Sequence, residues 1–185
     1  RLFAVCSDYP DPYAGTLFPL LLLTGARKGE ALQARWQNID LERGIWLIPE
    51  AKSGHGRHIP LSAQAITLLR NLPKQAENPY VFCGQKKSQC LVNVAKPWER
   101  IKVAADLPED FRPHDLRHTF ASWGVSNGID LYQIQQLLGH STPQMTQRYA
   151  HLDESGIKAS VNHISERMGD AVLKAENGRG VANGE

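Results

Sequence analysis

Apolar residues in the N-terminal part of the chain recur in the pattern of a buried helix. Asp11, followed by proline, favours a helix start because its side chain can accept hydrogen bonds from free backbone amides and proline fits the first helical position. The apolar run 17–23 follows, and Gly25 is well placed to end the helix in the left-handed conformation. Pro19 interrupts the hydrogen-bond ladder, so we expect a kink near Thr16 or a later start of this helix.

The pattern then changes, first to a second short helix over 27–35 and next to two β-type runs. These runs, Ile45–Ile48 and 57–61, flank the segment Ser-Gly-His-Gly at 53–56, which is typical of a turn. The sequence therefore predicts a β-hairpin with Lys52 near its tip.

Helical spacing returns after the hairpin, where Ser62 and Asp130 can each cap a helix. We expect Leu116, Phe120 and Trp123 to face the same core as the helix before them. The pattern as a whole predicts an α+β fold, mainly α-helical with a small antiparallel β-sheet. The predicted elements in this part are helices over 62–73, 94–105, 116–127, 131–138, 142–149 and 154–168, and a short strand over 80–83.

Composition adds a domain count but leaves the partner open. The chain has 185 residues, of which 42% are hydrophobic and 22% charged, as expected for one packed domain. We assign this domain to 1–170 and predict a mobile tail over 171–185, which has little to bury. The longest apolar run falls far below the roughly 20 residues that span a bilayer, so we expect no membrane segment. The chain starts without a leader sequence, and we expect a further segment to precede it.

Net charge and cysteine content give weaker indications. The formal net charge of +2 is too small to indicate nucleic acid by itself. The three cysteines, Cys6, Cys83 and Cys90, are an odd set without close pairing, which is typical of reduced thiols in the cytosol.

Four separated motifs carry the candidate chemistry. They are Thr-Gly-Ala-Arg-Lys-Gly-Glu at 24–30, Ala-Lys-Ser-Gly at 51–54, His-Asp-Leu-Arg-His at 114–118, and Leu-Gly-His at 138–140 followed by Arg-Tyr-Ala-His at 148–151. Their order resembles the catalytic domain of the tyrosine recombinases, the phage integrase family, over about 13–155. The resemblance implies a catalytic set of Arg27, Lys52, His114, Arg117, His140 and Tyr149.

Each residue of this set suits the cleavage of a phosphodiester. Arg27 and Arg117 would clamp the non-bridging oxygens, which gain negative charge during in-line attack. Tyr149 would be the nucleophile, and since its reference pKa is about 10, reaching the phenolate at pH 7 costs about 4 kcal/mol. The resemblance makes His114 the general base and Lys52 the general acid that protonates the departing 5′ oxygen.

The remaining candidates have supporting or undecided roles. His140 can donate a hydrogen bond to a phosphate oxygen, Glu30 can hold Arg27 in place, and His118 can order the site. His114 and His118 lie four residues apart, a spacing that also suits metal ligands, but no carboxylate or cysteine cluster accompanies them, and we expect no metal and no cofactor. Contact with the DNA backbone and simple exposure to solvent are both open for a further basic group: Arg57, Lys86, Lys87 and Lys96.

The resemblance implies a site-specific DNA recombinase or integrase that works through a covalent 3′-phosphotyrosyl intermediate, integrating or excising a phage or other mobile element. The implied partners are double-stranded DNA, three further copies of the chain in a homotetramer on paired sites, and possible DNA-bending accessory proteins, with no membrane. The implied location is the cytoplasm, at the nucleoid, for a protein encoded by a bacterium or a phage. The resemblance also implies upstream DNA-binding domains that are missing from this chain. The alternatives are DNA relaxation of the type IB topoisomerase kind and a catalytically silent DNA-binding module.

Overall fold

The computed structural model describes residues 1–49, 56–86, 88–152, 161, 164–166 and 168. Helices make up about half of this part of the chain, and a small sheet lies between the third and fourth helix along the sequence. The helices are α1 (Leu2–Ser7), α2 (Pro12–Thr24), α3 (Lys28–Leu32), α4 (Ala63–Asn71), α5 (Ala95–Ala104), α6 (Asp115–Ser126), α7 (Leu131–Leu138) and α8 (Gln144–Gln147). Trp36–Asn38 and Ala150–Leu152 form short 3-10 turns.

Helix α2 is the central apolar helix, and both of its ends follow from the sequence. The Asp11 side chain accepts from the backbone amides of Tyr13 and Ala14, as predicted for a capping aspartate. Gly25 ends the helix with φ of 62°, in the left-handed conformation. The helix runs without interruption through Pro19, whose ring is buried.

The predicted hairpin is present as the last two strands of a three-stranded antiparallel sheet. Strand β2 (Ile45–Ile48) pairs with β3 (Arg57–Pro60), and Ile48 lies opposite Arg57. Strand β1 (Ile39–Asp40), which the sequence analysis missed, pairs with the other edge of β2. Residues 50–55 at the hairpin tip, which include Lys52, lie outside the described residues.

Two apolar clusters meet along α6. The larger one surrounds α2 and includes Phe18, Trp98 and Leu116. The smaller one joins α6 to α7 and to the 148–152 segment; its buried members are Ala121, Val125, Ile134, Leu138 and Tyr149. Helix α6 is therefore fixed from both sides, and the residues it carries between the two clusters have a defined position.

Three predictions differ from the structure or lie beyond it. Residues 80–83 form no strand, because Tyr80 and Cys83 make only isolated bridges, to Arg35 and Cys90. Trp123 is 74% exposed. Successive residues of a helix are about 100° apart, so Trp123 lies about 200° around the helix from the buried Ala121 and faces solvent. Most of the predicted helix over 154–168 and the whole predicted tail over 171–185 lie outside the described residues.

All three cysteines are free. None of the described helices has the length and apolar character needed to cross a membrane.

Candidate active site

The first motif forms the sharp junction between α2 and α3. The Thr24 hydroxyl donates to the Leu20 carbonyl at 2.6 Å and accepts from the Ala26 amide at 3.3 Å, so it stabilises the end of α2. Arg27 is the N-cap residue directly before α3, and its side chain is 43% exposed. The junction therefore presents the Arg27 guanidinium to solvent from a fixed backbone.

Glu30 holds Arg27 from the first turn of α3. Its carboxylate accepts from the Arg27 amide at 2.7 Å and from Arg27 Nη1 at 2.9 Å, and it also accepts from Nη2 of Arg57 at 2.7 Å. Burial by itself would raise the pKa of Glu30, but the Arg27 amide and the charges of the two arginines hold that pKa below its usual value. Glu30 is thus a carboxylate at neutral pH and keeps both arginines in place.

Arg117 joins the first motif to the end of α7. Its side chain is 4% exposed, and it donates through Nη1 to the Gly25 carbonyl at 2.5 Å and through Nη2 to the Leu138 carbonyl at 2.8 Å. Burial, followed by the positive charges of Arg27 and Arg57, lowers the pKa of Arg117 to about 10. The guanidinium is still charged at pH 7, and its remaining N–H groups are free of backbone partners among the described residues.

Tyr149 lies against α6, where the structure pairs it with His118. The Tyr149 hydroxyl is 2.6 Å from Nδ1 of His118, and the ring is 5% exposed within the smaller apolar cluster. His114, one turn earlier on the exposed side, contacts the His118 ring edge-on at a centroid distance of 4.9 Å. The resemblance makes His114 the general base, whereas His118 makes the direct contact with the Tyr149 hydroxyl.

The Tyr149 phenol and the His118 imidazole both favour their neutral forms at pH 7. Burial raises the pKa of Tyr149, although the charges of Arg148 and Arg117 act in the opposite direction. Burial, together with the neighbouring His114, lowers the pKa of His118. Because the imidazole is neutral, its unprotonated nitrogen can accept the hydrogen bond of the phenol.

His140 follows the left-handed turn that ends α7. Gly139 has φ of 62°, and Nδ1 of His140 is 2.8 Å from the Thr146 hydroxyl. Burial and then the charges of Arg117, Arg27 and Arg57 lower the pKa of His140 to about 4. His140 is therefore neutral at pH 7 and lies within the electrostatic influence of all three arginines.

The structure brings five of the six predicted catalytic residues into one electrostatic neighbourhood, which joins the first motif, α6 and the end of α7. Lys52 lies outside the described residues. Two further residues belong to the neighbourhood although no spacing in the sequence pointed to them: Thr146, which positions His140, and Arg57. Of the two interpretations left open for Arg57, simple exposure to solvent does not hold, because this side chain is 15% exposed and bonds to both Glu30 and the Leu137 carbonyl. Within the described ranges, no group of three or more His, Cys, Asp or Glu residues could hold a metal ion.

The arrangement is suited to an anionic ligand with a reacting phosphorus. Charged Arg117 lies near a phenol that is hydrogen-bonded to a neutral imidazole, and partly exposed Arg27 lies near Arg117. Guanidinium groups bind phosphate oxygens, and a phenol with a proton acceptor is a potential nucleophile.

Comparisons with known proteins agree with this geometry. A family model described as the phage integrase family matches residues 1–155. The chain is 34% identical over 140 residues to the shufflon-specific DNA recombinase of Escherichia coli, covering 74% of this chain and 34% of that protein. It is 30% identical over 160 residues to the tyrosine recombinase XerA of Pyrococcus furiosus, covering 84% of this chain and 56% of that protein.

A solved structure confirms the predicted fold. The catalytic domain of bacteriophage HP1 integrase superposes with a TM-score of 0.67 at 30% identity, and the match covers 88% of each chain. The chain spans about a third to just over half of the curated relatives named above. From the matched family model, these relatives and the shared fold, we conclude that the chain belongs to the phage integrase family of tyrosine recombinases.

Proposed function

We propose that this chain is the catalytic domain of a site-specific DNA recombinase that cuts and rejoins strands through a covalent tyrosine intermediate. The observation that carries the proposal is the short contact between the Tyr149 hydroxyl and His118 beside the buried Arg117. The relatives named as recombinases and integrases support it.

Strand cleavage begins with attack by the Tyr149 oxygen on phosphorus. His118 accepts the phenolic proton, and the edge contact with His114 holds the His118 ring in place. A bond forms between the tyrosine oxygen and phosphorus while the bond to the 5′ oxygen breaks, which leaves a 3′-phosphotyrosyl link and a free 5′ hydroxyl. Lys52 donates a proton to that departing oxygen, as the family pattern implies.

The arginines and His140 stabilise the negative charge that develops on the phosphate oxygens. Arg27 and Arg117 donate to the non-bridging oxygens, and a charge-assisted hydrogen bond of this kind contributes about 1.5–3 kcal/mol. When the Thr146 hydroxyl donates to Nδ1 of His140, the proton of the neutral ring resides on Nε2, which is then the donor to phosphate. Glu30 takes no part in proton transfer and keeps Arg27 aligned.

Rejoining reverses these steps with a different 5′ hydroxyl. The hydroxyl of a partner strand attacks the phosphotyrosyl link, and Tyr149 recovers its proton. Energy of the broken bond is kept in the covalent link, so the reaction needs no nucleotide and, in our proposal, no metal. We further propose a homotetramer on two paired DNA sites, DNA-bending accessory proteins, upstream DNA-binding domains that complete the grip on the duplex, and action on nucleoid DNA in the cytoplasm for integration or excision of a mobile element.

Covalent trapping tests the proposal. The protein is incubated with sheared DNA from its source in excess chelator, denatured and digested, and the peptides are searched by mass spectrometry for a nucleotide on Tyr149. Sequencing of the DNA joined to the protein gives the cleavage site, from which a synthetic cleavage duplex is made. Tyr149→Phe is the matched control.

An adduct on Tyr149 that Tyr149→Phe abolishes supports the proposal. A mixture of two marked cleavage duplexes that yields recombinant strands separates recombination from simple relaxation. Absence of any adduct, both with this chain and with a longer native chain, would refute strand cleavage and leave a silent DNA-binding module.

A further inference from the structure

Arg57 forms a buried link between two parts of the candidate site. From strand β3 its guanidinium donates through Nη2 to Glu30 at 2.7 Å and through Nη1 to the Leu137 carbonyl at 2.7 Å. The side chains of Arg57 and Glu30 are 15% and 16% exposed, so this pair is shielded from the solvent that weakens surface ion pairs. We call Arg57 and these two acceptors the Arg57 brace.

The turn that carries His140 is built closely around this side chain. A Cβ atom at Gly139 would lie 2.4 Å from Cδ and 2.7 Å from Nε of Arg57. Glycine is thus required at this position both by the left-handed φ of 62° and by the Arg57 arm that fills the space of a side chain. The glycine of the Leu-Gly-His motif and Arg57 are parts of one packing arrangement.

Arg57 repeats the connection that Arg117 makes. Arg117 joins the Gly25 carbonyl in the first motif to the Leu138 carbonyl, and Arg57 joins Glu30 in that motif to the Leu137 carbonyl. Two consecutive carbonyls at the end of α7 are therefore held by two guanidinium groups, each anchored in the motif that presents Arg27.

We propose that Arg57 is a positioning residue, which sets the place of His140 relative to Arg27 for the proposed strand cleavage. It acts through the Arg57 brace: Glu30 fixes Arg27 on one side, and the Leu137 carbonyl fixes the turn before His140 on the other. Arg57 is less suited to bind phosphate than the two catalytic arginines. Unlike Arg117, which bonds only to neutral carbonyls, it is paired with a carboxylate. Unlike Arg27, which shares that carboxylate, its side chain is 15% rather than 43% exposed. The proposal rests on the proposed function, since it assigns His140 and Arg27 to the same phosphate.

The first test needs no DNA. Arg57→Met keeps the length and apolar contacts of the arm but removes both donors, and Arg70→Met is the control, since Arg70 makes an exposed ion pair with Glu42. Hydrogen exchange is measured at the amides of Gly139 and His140, which donate to the Gln136 and Gln135 carbonyls in the last turn of α7. Loss of a charge-assisted bond should speed this exchange about tenfold or more in Arg57→Met and leave it unchanged in Arg70→Met.

The second test uses the cleavage duplex. Arg57→Met should bind it within about twofold of the unchanged chain, and single-turnover cleavage should slow about 100-fold, the typical effect of a reacting group displaced by about 1 Å. Because Arg57 acts through His140, adding Arg57→Met to His140→Ala should cost less than about threefold further. Arg57→Lys, which keeps the positive charge but lacks the fork of two terminal nitrogens, should be intermediate.

Each result has a distinct meaning. Unchanged exchange at Gly139 and His140, cleavage within threefold of the unchanged chain, or multiplicative effects with His140→Ala would each overturn the positioning role. Weaker binding with a salt slope reduced by about one would instead make Arg57 a phosphate contact. If exchange is faster in Arg57→Met but the unchanged chain forms no covalent adduct with DNA, the Arg57 brace is supported and the proposed function is rejected.

Discussion

Substitution of Gly139 by alanine offers a quantitative test of the packing at the candidate site. The new Cβ would meet the Arg57 arm at 2.4 Å, so that arm must move. A left-handed conformation costs an alanine roughly 1–2 kcal/mol. Moving the arm also strains its two charge-assisted hydrogen bonds, each of which contributes about 1.5–3 kcal/mol. With the backbone cost and the loss of one of these two bonds, we expect Gly139→Ala to lower the free energy of unfolding by about 2.5–5 kcal/mol.

Gly128 provides a matched control within the same part of the chain. Its φ of 82° is also left-handed, but an added Cβ would meet nothing within 4 Å. Gly128→Ala should therefore cost only the conformational part, about 1–2 kcal/mol. The difference between the two variants isolates the contact with Arg57.

The assay is urea unfolding followed by circular dichroism, repeated in an Arg57→Ala background. Without the arm, Gly139→Ala should cost no more than Gly128→Ala, since only the backbone strain remains. If the two glycine variants are equally stable in the unchanged background, the packing of Arg57 against this turn does not contribute to stability and the reasoning is wrong.

The catalytic assignments lead to four further predictions. Tyr149→Phe should fold with a loss of about 0.5–1.5 kcal/mol, the value of one neutral hydrogen bond, and form no adduct by mass spectrometry; an adduct elsewhere would reassign the nucleophile. The pH–rate profile of cleavage should be flat near pH 7 and fall as the pH drops through the pKa of His118, which lies below the usual 6.5; a fall centred above 6.5 would exclude His118 as the base. Lys52→Ala should slow cleavage about 100-fold or more on the ordinary duplex and recover on a duplex with a bridging 5′ sulfur, which needs no general acid; failure to recover would remove this role. Thr146→Val should slow cleavage about tenfold by releasing the His140 ring without weakening duplex binding, as titration with labelled duplex would check.

The sequence pattern was sufficient to predict the elements whose ends are marked by capping or turn residues. Asp11 and Gly25 mark the two ends of α2, and the turn residues between the two β-type runs predicted the hairpin. Both were predictable because capping and left-handed turns depend on the residue itself and its immediate neighbours. The order of the motifs also identified the family, which the family model confirms.

What the chain pattern left open depends on contacts between distant segments. The exposure of Trp123 followed from which face of α6 the two clusters cover, and the two-residue strand β1 forms only because β2 is there to pair with it. The choice of His118 over His114 as the partner of Tyr149 required the position of the 148–152 segment against α6. Arg57 acquired its role because the fold brings Glu30 and Leu137, 107 residues apart in the chain, within reach of one guanidinium. Local sequence thus determined the elements and the chemical inventory, whereas burial and long-range hydrogen bonds decided which side chains act on one another.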